Sequence, residues 1–136
     1  MKTTGAFYFS LCWALIGFSL GCSTDVKHGT VSGTVTLDGQ PLKSGTIRFD
    51  SADGRTAAAD ATIADGKFNV TLPPGDKRVS ITSPKVIGKK KMYDTPDSPV
   101  YDVTEELLPK RYNAQSTLTM TVTADAQEKE FSLTSK

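Results

Sequence analysis

The dipeptide Asp-Gly occurs three times within a short span, at Asp38-Gly39, Asp53-Gly54 and Asp65-Gly66, each time between short runs of alternating apolar and polar residues. Glycine accepts positive φ without steric cost and aspartate tolerates it, so each dipeptide marks a reversal of the chain. Before the first, Val31, Val35 and Leu37 alternate with Ser32, Thr34 and Thr36. That period of two places the apolar set on one face of a strand and the hydroxyls on the other. Pro41 cannot donate to a ladder. Alternation then resumes after Gly45, with Ile47 and Phe49 in phase. The segment Gly39–Ser44 is long for a tight hairpin, so these two strands are expected in different sheets.

The same scheme continues. Thr56–Ile63 reads as a strand with Ala57, Ala59, Ala61 and Ile63 on one face, although alanine is a weak strand former. Phe68, Val70 and Leu72 follow the third Asp-Gly, and the pair around Ala64–Lys67 is the clearest hairpin signal. Pro73-Pro74-Gly75-Asp76 is a further turn, after which Val79 and Ile81 alternate with Arg78, Ser80 and Thr82. Leu118–Ala124 and Lys129–Leu133 are the last strands. About seven strands without long amphipathic helices define an all-β class, an antiparallel β-sandwich.

The run GTVTLDGQPLKSGTIRF, followed by DGKFNVTLPPGDKRVSI, resembles the carboxypeptidase regulatory-like or transthyretin-like domains. The opening matches Gly33, Val35, Asp38, Gly39, Pro41 and Leu42, and the middle matches Gly66, Phe68, Pro74 and Gly75. The resemblance covers Val31–Thr82 and implies a prealbumin-like sandwich. It is nearly silent on activity. The transthyretin-like hydrolases depend on histidines and a C-terminal Tyr-Arg-Gly-Ser, whereas this chain ends Ser-Leu-Thr-Ser-Lys.

The first residues form a separate unit. Lys2 precedes the apolar run FYFSLCWALIGFSL, which has the length of a signal-peptide core and is short for a membrane span. It ends in Ser19-Leu20-Gly21-Cys22 and resembles the bacterial lipoprotein signal, in which small residues precede a cysteine that becomes the acylated N-terminus. The resemblance implies removal of residues 1–21 and lipidation (diacylglyceryl and palmitate-type chains) at Cys22. Ser19 departs from the aliphatic residue usual at that position. An ordinary secretory signal cut near Gly21, or a short anchor helix, are the other readings. Residues 22–29 then form a polar tether that includes His28, the chain's single histidine, and residues 30–136 form one domain, a size that supports a single core. Of the two cysteines, Cys12 would be discarded with the signal and Cys22 acylated, so the domain would have no disulfide.

Without Lys2, fifteen basic residues face fifteen acidic ones. A neutral domain is a poor candidate for nucleic acid, which calls for a basic surface.

Residues 84–113 interrupt the pattern. Four of the seven prolines, Pro84, Pro96, Pro99 and Pro109, fall here, so an irregular insert is expected, with a short helical turn over Val103–Leu108. The segment also carries Lys89, Lys90, Lys91, Tyr93, Tyr101 and Tyr112, the candidate contact residues. The lysines suit anionic head groups or acidic glycan, and the tyrosines suit flat apolar contacts. The alternative is a solvated crossover with the tyrosines packed on the sandwich.

Catalysis finds little footing. A nucleophile needs a positioned base, and the one histidine lies in the tether. Zinc lacks His and Cys ligands. Asp38, Asp53, Asp65 and Asp76 sit in oxygen-rich turns without EF-hand spacing, which leaves calcium open. The expectation is a non-enzymatic envelope lipoprotein without cofactor, facing periplasm or cell exterior. It would be held to the membrane through its lipid and act as a structural or protein-binding module. The alternative is a carbohydrate-binding module at the cell surface.

Overall fold

At Asp38-Gly39 and Asp65-Gly66 both residues have positive φ (50° and 80°, 49° and 76°), the geometry of the two-residue turn whose twist matches that of paired strands. A computed structural model describes residues 27–136. The signal segment, Cys22 and the tether as far as Val26 lie outside the described residues. Ten strands follow in order: β1 (Gly29–Leu37), β2 (Gln40–Pro41), β3 (Ser44–Ser51), β4 (Ala59–Ala64), β5 (Lys67–Leu72), β6 (Gly75–Thr82), β7 (Pro84–Lys91), β8 (Val100–Glu106), β9 (Leu118–Val122) and β10 (Gln127–Leu133). A 3₁₀ turn, Lys110–Tyr112, lies between β8 and β9.

Seven of these strands form one continuous path, β10-β1-β5-β4-β3-β6-β9, with β2 added beside β1. They are the seven expected from the alternation. The path curls into a sandwich-like half-barrel, because β4 and β5 pair only at Ala64↔Lys67. The Asp65-Gly66 turn is held on both sides by the strands next to it, by the β3 side at Lys43 and by β1 at Val35. Asp65 N–H donates to Lys43 O (3.0 Å), Gly66 N–H to Leu42 O (2.7 Å), and Val35 N–H to Gly66 O (2.7 Å). These bonds continue the β3–β4 and β1–β5 ladders into the turn, so beyond Ala64↔Lys67 β4 follows β3 and β5 follows β1, and the sheet makes its corner there. β1 and β3 lie in one sheet, not in different sheets as the long Gly39–Ser44 connection suggests, with β5 and β4 between them.

The alternation is realised as burial. Val31 and Val35 of β1, Ile47 and Phe49 of β3, Ile63 of β4, Phe68, Val70 and Leu72 of β5, and Val79 and Ile81 of β6 point into one core with Val122, Phe131 and Leu133. Phe68 sits between Phe49 and Phe131, with ring centroids 6.1 Å from each, tilted as aromatic pairs prefer. β1 and β10 pair in parallel, Val31↔Gln127 through Leu37↔Leu133, an exception in an otherwise antiparallel sheet. Their approach is close enough that a Cβ at Gly33 would lie 1.8 Å from Lys129 O.

Three further expectations are corrected. The segment 84–113 is not irregular: β7 and β8 form an antiparallel hairpin with a bulge between Val86 and Gly88. Its prolines punctuate the hairpin, Pro84 at the first residue of β7, Pro96 and Pro99 in the connection, and Pro109 beyond β8. No ladder donor is therefore lost mid-strand. Val103–Glu106 is strand, and the helical turn falls after Pro109, where its first-turn N–H is dispensable. The strand expected from Thr56 starts at Ala59. Among the described residues no helix is long and apolar enough to cross a membrane.

Candidate functional site

The hairpin grows from the far end of β6. Ser83 follows Thr82 and is buried, its hydroxyl donating to Ser44 O (2.6 Å). Glu106 closes the base: its Oε1 accepts from Ser83 N–H (2.7 Å) and from Leu108 N–H (3.0 Å), while Leu107 N–H donates to Ser83 O (3.1 Å). Leu108 then plugs into the core. Beyond this base the hairpin stands free. Every residue of β7 is exposed, and in β8 only Val103 is partly covered. The tip is ordered by Met92 N–H to Pro99 O (2.9 Å) and Tyr93 N–H to Ser98 Oγ (2.7 Å).

The exposed large hydrophobic side chains among the described residues all fall on this element: Val86, Ile87, Met92, Tyr93, Val100, Tyr101 and Leu107, with Tyr93 at 62%. At its base a groove of about 390 Å³ runs between the hairpin and the β1–β3 connection, lined by Leu37, Pro41, Leu42, Pro84 and Leu107 among others.

The basic run is less basic in place than in sequence. Lys89 Nζ lies 3.9 Å from Asp102 Oδ1, Lys91 Nζ donates to Thr95 O (3.4 Å), and Lys85 stands opposite Glu105. Lys90 faces Tyr101 in register. Between Pro84 and Leu107 four lysines meet five acids, so the hairpin is not a polybasic patch. Lys89, Lys90, Lys91, Tyr93 and Tyr101 are thus brought onto one element. Tyr112 is not among them. It packs against the core, its hydroxyl accepting from Thr134 N–H (3.1 Å), with Arg111 4.9 Å over its ring. The Thr134 hydrogen bonds, and then Arg111, hold its phenol below the usual range.

The turn aspartates serve their turns. Hydrogen bonding from the Ser135 side chain, and then from its N–H (3.0 Å), holds the Asp38 carboxyl below the usual range. Asp53 is lowered by Ser51 Oγ and by Arg55 N–H. Asp76 accepts from Thr121 Oγ1 (2.6 Å). Among the described residues no group of three or more His, Cys, Asp or Glu is arranged to hold a metal ion. His28 is exposed just before β1.

One polar residue escapes the sequence argument. Lys77 is 1% exposed, and its Nζ donates to Thr56 Oγ1 (2.5 Å). The signal was present: Lys77 is in phase with Val79 and Ile81, a charged residue on the inward face of β6.

No family model matches the chain, and no curated protein matches it. Among solved structures the chain is similar to a 9R-lipoxygenase from Cyanothece PCC8801, at 10% identity and a TM-score of 0.45. The match covers 79% of this chain and spans 16% of the lipoxygenase.

Proposed function

We propose that the protein is a non-enzymatic, lipid-anchored bacterial envelope lipoprotein whose sandwich presents hairpin β7–β8, with the groove at its base, to a partner protein. The observation that carries this reading is the gathering of the exposed large apolar side chains on one element that, beyond its base, is left exposed among the described residues. A two-stranded hairpin is marginal alone in water. Covering Ile87, Met92, Tyr93 and Tyr101 would remove apolar surface at ~25 cal/mol per Å². The composition, aromatic and methionine residues ringed by balanced charges, is that of an interface centre with a polar rim. Cys22 as the acylated residue supplies the anchor, and the carboxypeptidase regulatory-like resemblance of Val31–Thr82 agrees with an accessory binding module.

The direct test is photo-crosslinking in intact cells from Ile87 and Tyr93, with Asp60 on the outer face of β4 as control. A protein adduct shared by the two hairpin positions and missing from Asp60 is expected. Equal labelling at Asp60 would remove the hairpin reading, and selective retention on a glycan array would transfer the site to the carbohydrate alternative. For the anchor, Cys22→Ser is expected to leave the membrane fraction. Unchanged membrane association and gel mobility would refute lipidation.

A further inference from the structure

The buried Lys77 points to a second site at the other end of the molecule. An ammonium carries three donors and no acceptor. Lys77 spends one on Thr56 Oγ1, and no carboxylate among the described residues lies within the 4.0 Å of an ion pair. A charge taken out of water with one neutral partner is costly unless something else compensates it. The space beside it is a cleft of about 240 Å³ lined by Ser51, Asp53, Thr56, Gly75 and Asp76 among others.

The donor and acceptor balance of that cleft selects its ligand. Thr56 Oγ1 accepts from Lys77, so its own proton is available. With the two remaining ammonium protons it makes three donors without acceptors among the described residues. The nearby acids do not compensate them. Asp76, the neighbour of Lys77 on β6, also lines the cleft, but its Oδ1 is engaged by Thr121 Oγ1 (2.6 Å). Asp53 is engaged by Ser51 Oγ, Arg55 N–H and Arg55 Nε at 3.7 Å. The backbone donors of the turn are also spent, Ala52 N–H on Asp76 O and Gly54 N–H on Ser51 O. We infer that this cleft binds a small phosphate-type oxyanion, seated on the Lys77 ammonium and the Thr56 hydroxyl. The chemistry is shared by free phosphate and by the phosphodiester of a lipid head group.

The test is a two-dimensional NMR titration of the folded protein at constant ionic strength, with inorganic phosphate in one arm and monomeric short-chain phosphatidylglycerol in the other. Saturable shifts are expected at Ser51–Thr56 and Gly75–Lys77, and the tighter arm identifies the source. Lys77→Met should weaken binding at least ~10-fold, the loss of one charge-assisted contact, while leaving the ligand-free protein as stable or more so. Thr56→Val, which keeps the lysine, should weaken it by a smaller factor. No saturable shift in either arm overturns the inference. So does binding that survives Lys77→Met, or linear shifts scattered over exposed lysines, the mark of an adventitious ion only.

Discussion

Glu106 decides whether the hairpin is a fixed platform or a loose flap, and its removal has a magnitude that can be worked out. One oxygen, Oε1, holds two backbone N–H groups, those of Ser83 and Leu108, both on buried residues. Hydrogen bonds to a charged acceptor contribute ~1.5–3 kcal/mol each. Glu106 itself is exposed, so the lower end applies and water partly replaces the carboxylate. Glu106→Ala is therefore expected to cost ~2–3 kcal/mol in urea unfolding. Glu106→Gln keeps an acceptor without the charge and should cost about half as much, in line with the weaker neutral bond. The neighbour Glu105 faces Lys85 on the hairpin surface, and Glu105→Ala should stay within ~0.5 kcal/mol of the parent. Hydrogen exchange at the Ser83 and Leu108 amides locates the loss, and both should exchange faster in Glu106→Ala while the amides of β3 and β5 keep their protection. If Glu106→Ala matches Glu105→Ala in stability, or if those two amides exchange as in the parent, the carboxylate does not hold the base and the platform argument fails.

Further outcomes follow from the core and the turns. Phe68→Ala removes the middle ring of the Phe49–Phe68–Phe131 stack and should cost ~3–5 kcal/mol by chemical denaturation; a cost under ~1 kcal/mol would mean that the leaves do not meet there. Gly33→Ala places a Cβ 1.8 Å from Lys129 O, so β10 must move, and loss of exchange protection over Gln127–Leu133 is the expected sign. The lowered carboxyls of Asp38 and Asp53 contribute stability that is present above the unfolded aspartate value, ~3.9, and lost as pH falls through their lower folded values. Asp38→Asn should flatten that acid limb in a pH series of melting temperatures; an unchanged limb would show that the Ser135 contact contributes nothing.

The sequence carried the sheet and missed the hairpin for reasons that can be traced to residues. Val31, Val35, Phe68, Val70 and Leu72 each alternate with polar neighbours, so one buried face was visible as a period of two. β7 has no buried face at all. Its residues PKVIGKKK show no alternation to read, and the bulge between Val86 and Gly88 breaks what register there is. The prolines looked like breakers because their positions relative to strand ends depend on where the strands begin. The corner at Ala64↔Lys67 was equally hidden. The turn type is written in Asp65-Gly66, but its docking on Leu42, Lys43 and Val35 is a contact between distant segments. Lys77 is in phase with Val79 and Ile81, but a charged residue two places before the first apolar one does not read as part of a buried face.

The two candidate sites occupy opposite ends of the same strand, and that placement orders the proposed functions. β6 begins beside the Lys77 cleft and ends at Ser83, where the hairpin starts. Six residue steps along the strand, from Lys77 to Ser83, separate the two by ~20 Å. The start of β1 belongs to the cleft end, since Gly29 pairs with Leu72 and Gly75 pairs with Val122, whose side chain lies against Gly29. On the lipid-anchored reading, the seven residues from Cys22 to Gly29 reach at most ~25 Å when extended. On that reading the anchor would enter at the cleft end, where a head-group phosphate would be within reach. The ~20 Å between the two sites suits two separate contacts. It also separates the two proposals experimentally. Lys77→Met should leave hairpin crosslinking intact, and Ile87→Ser with Tyr93→Ser should leave phosphate shifts intact. If either substitution abolished both, the two ends would act as one site and the separation argued from ~20 Å of packed strand would fail.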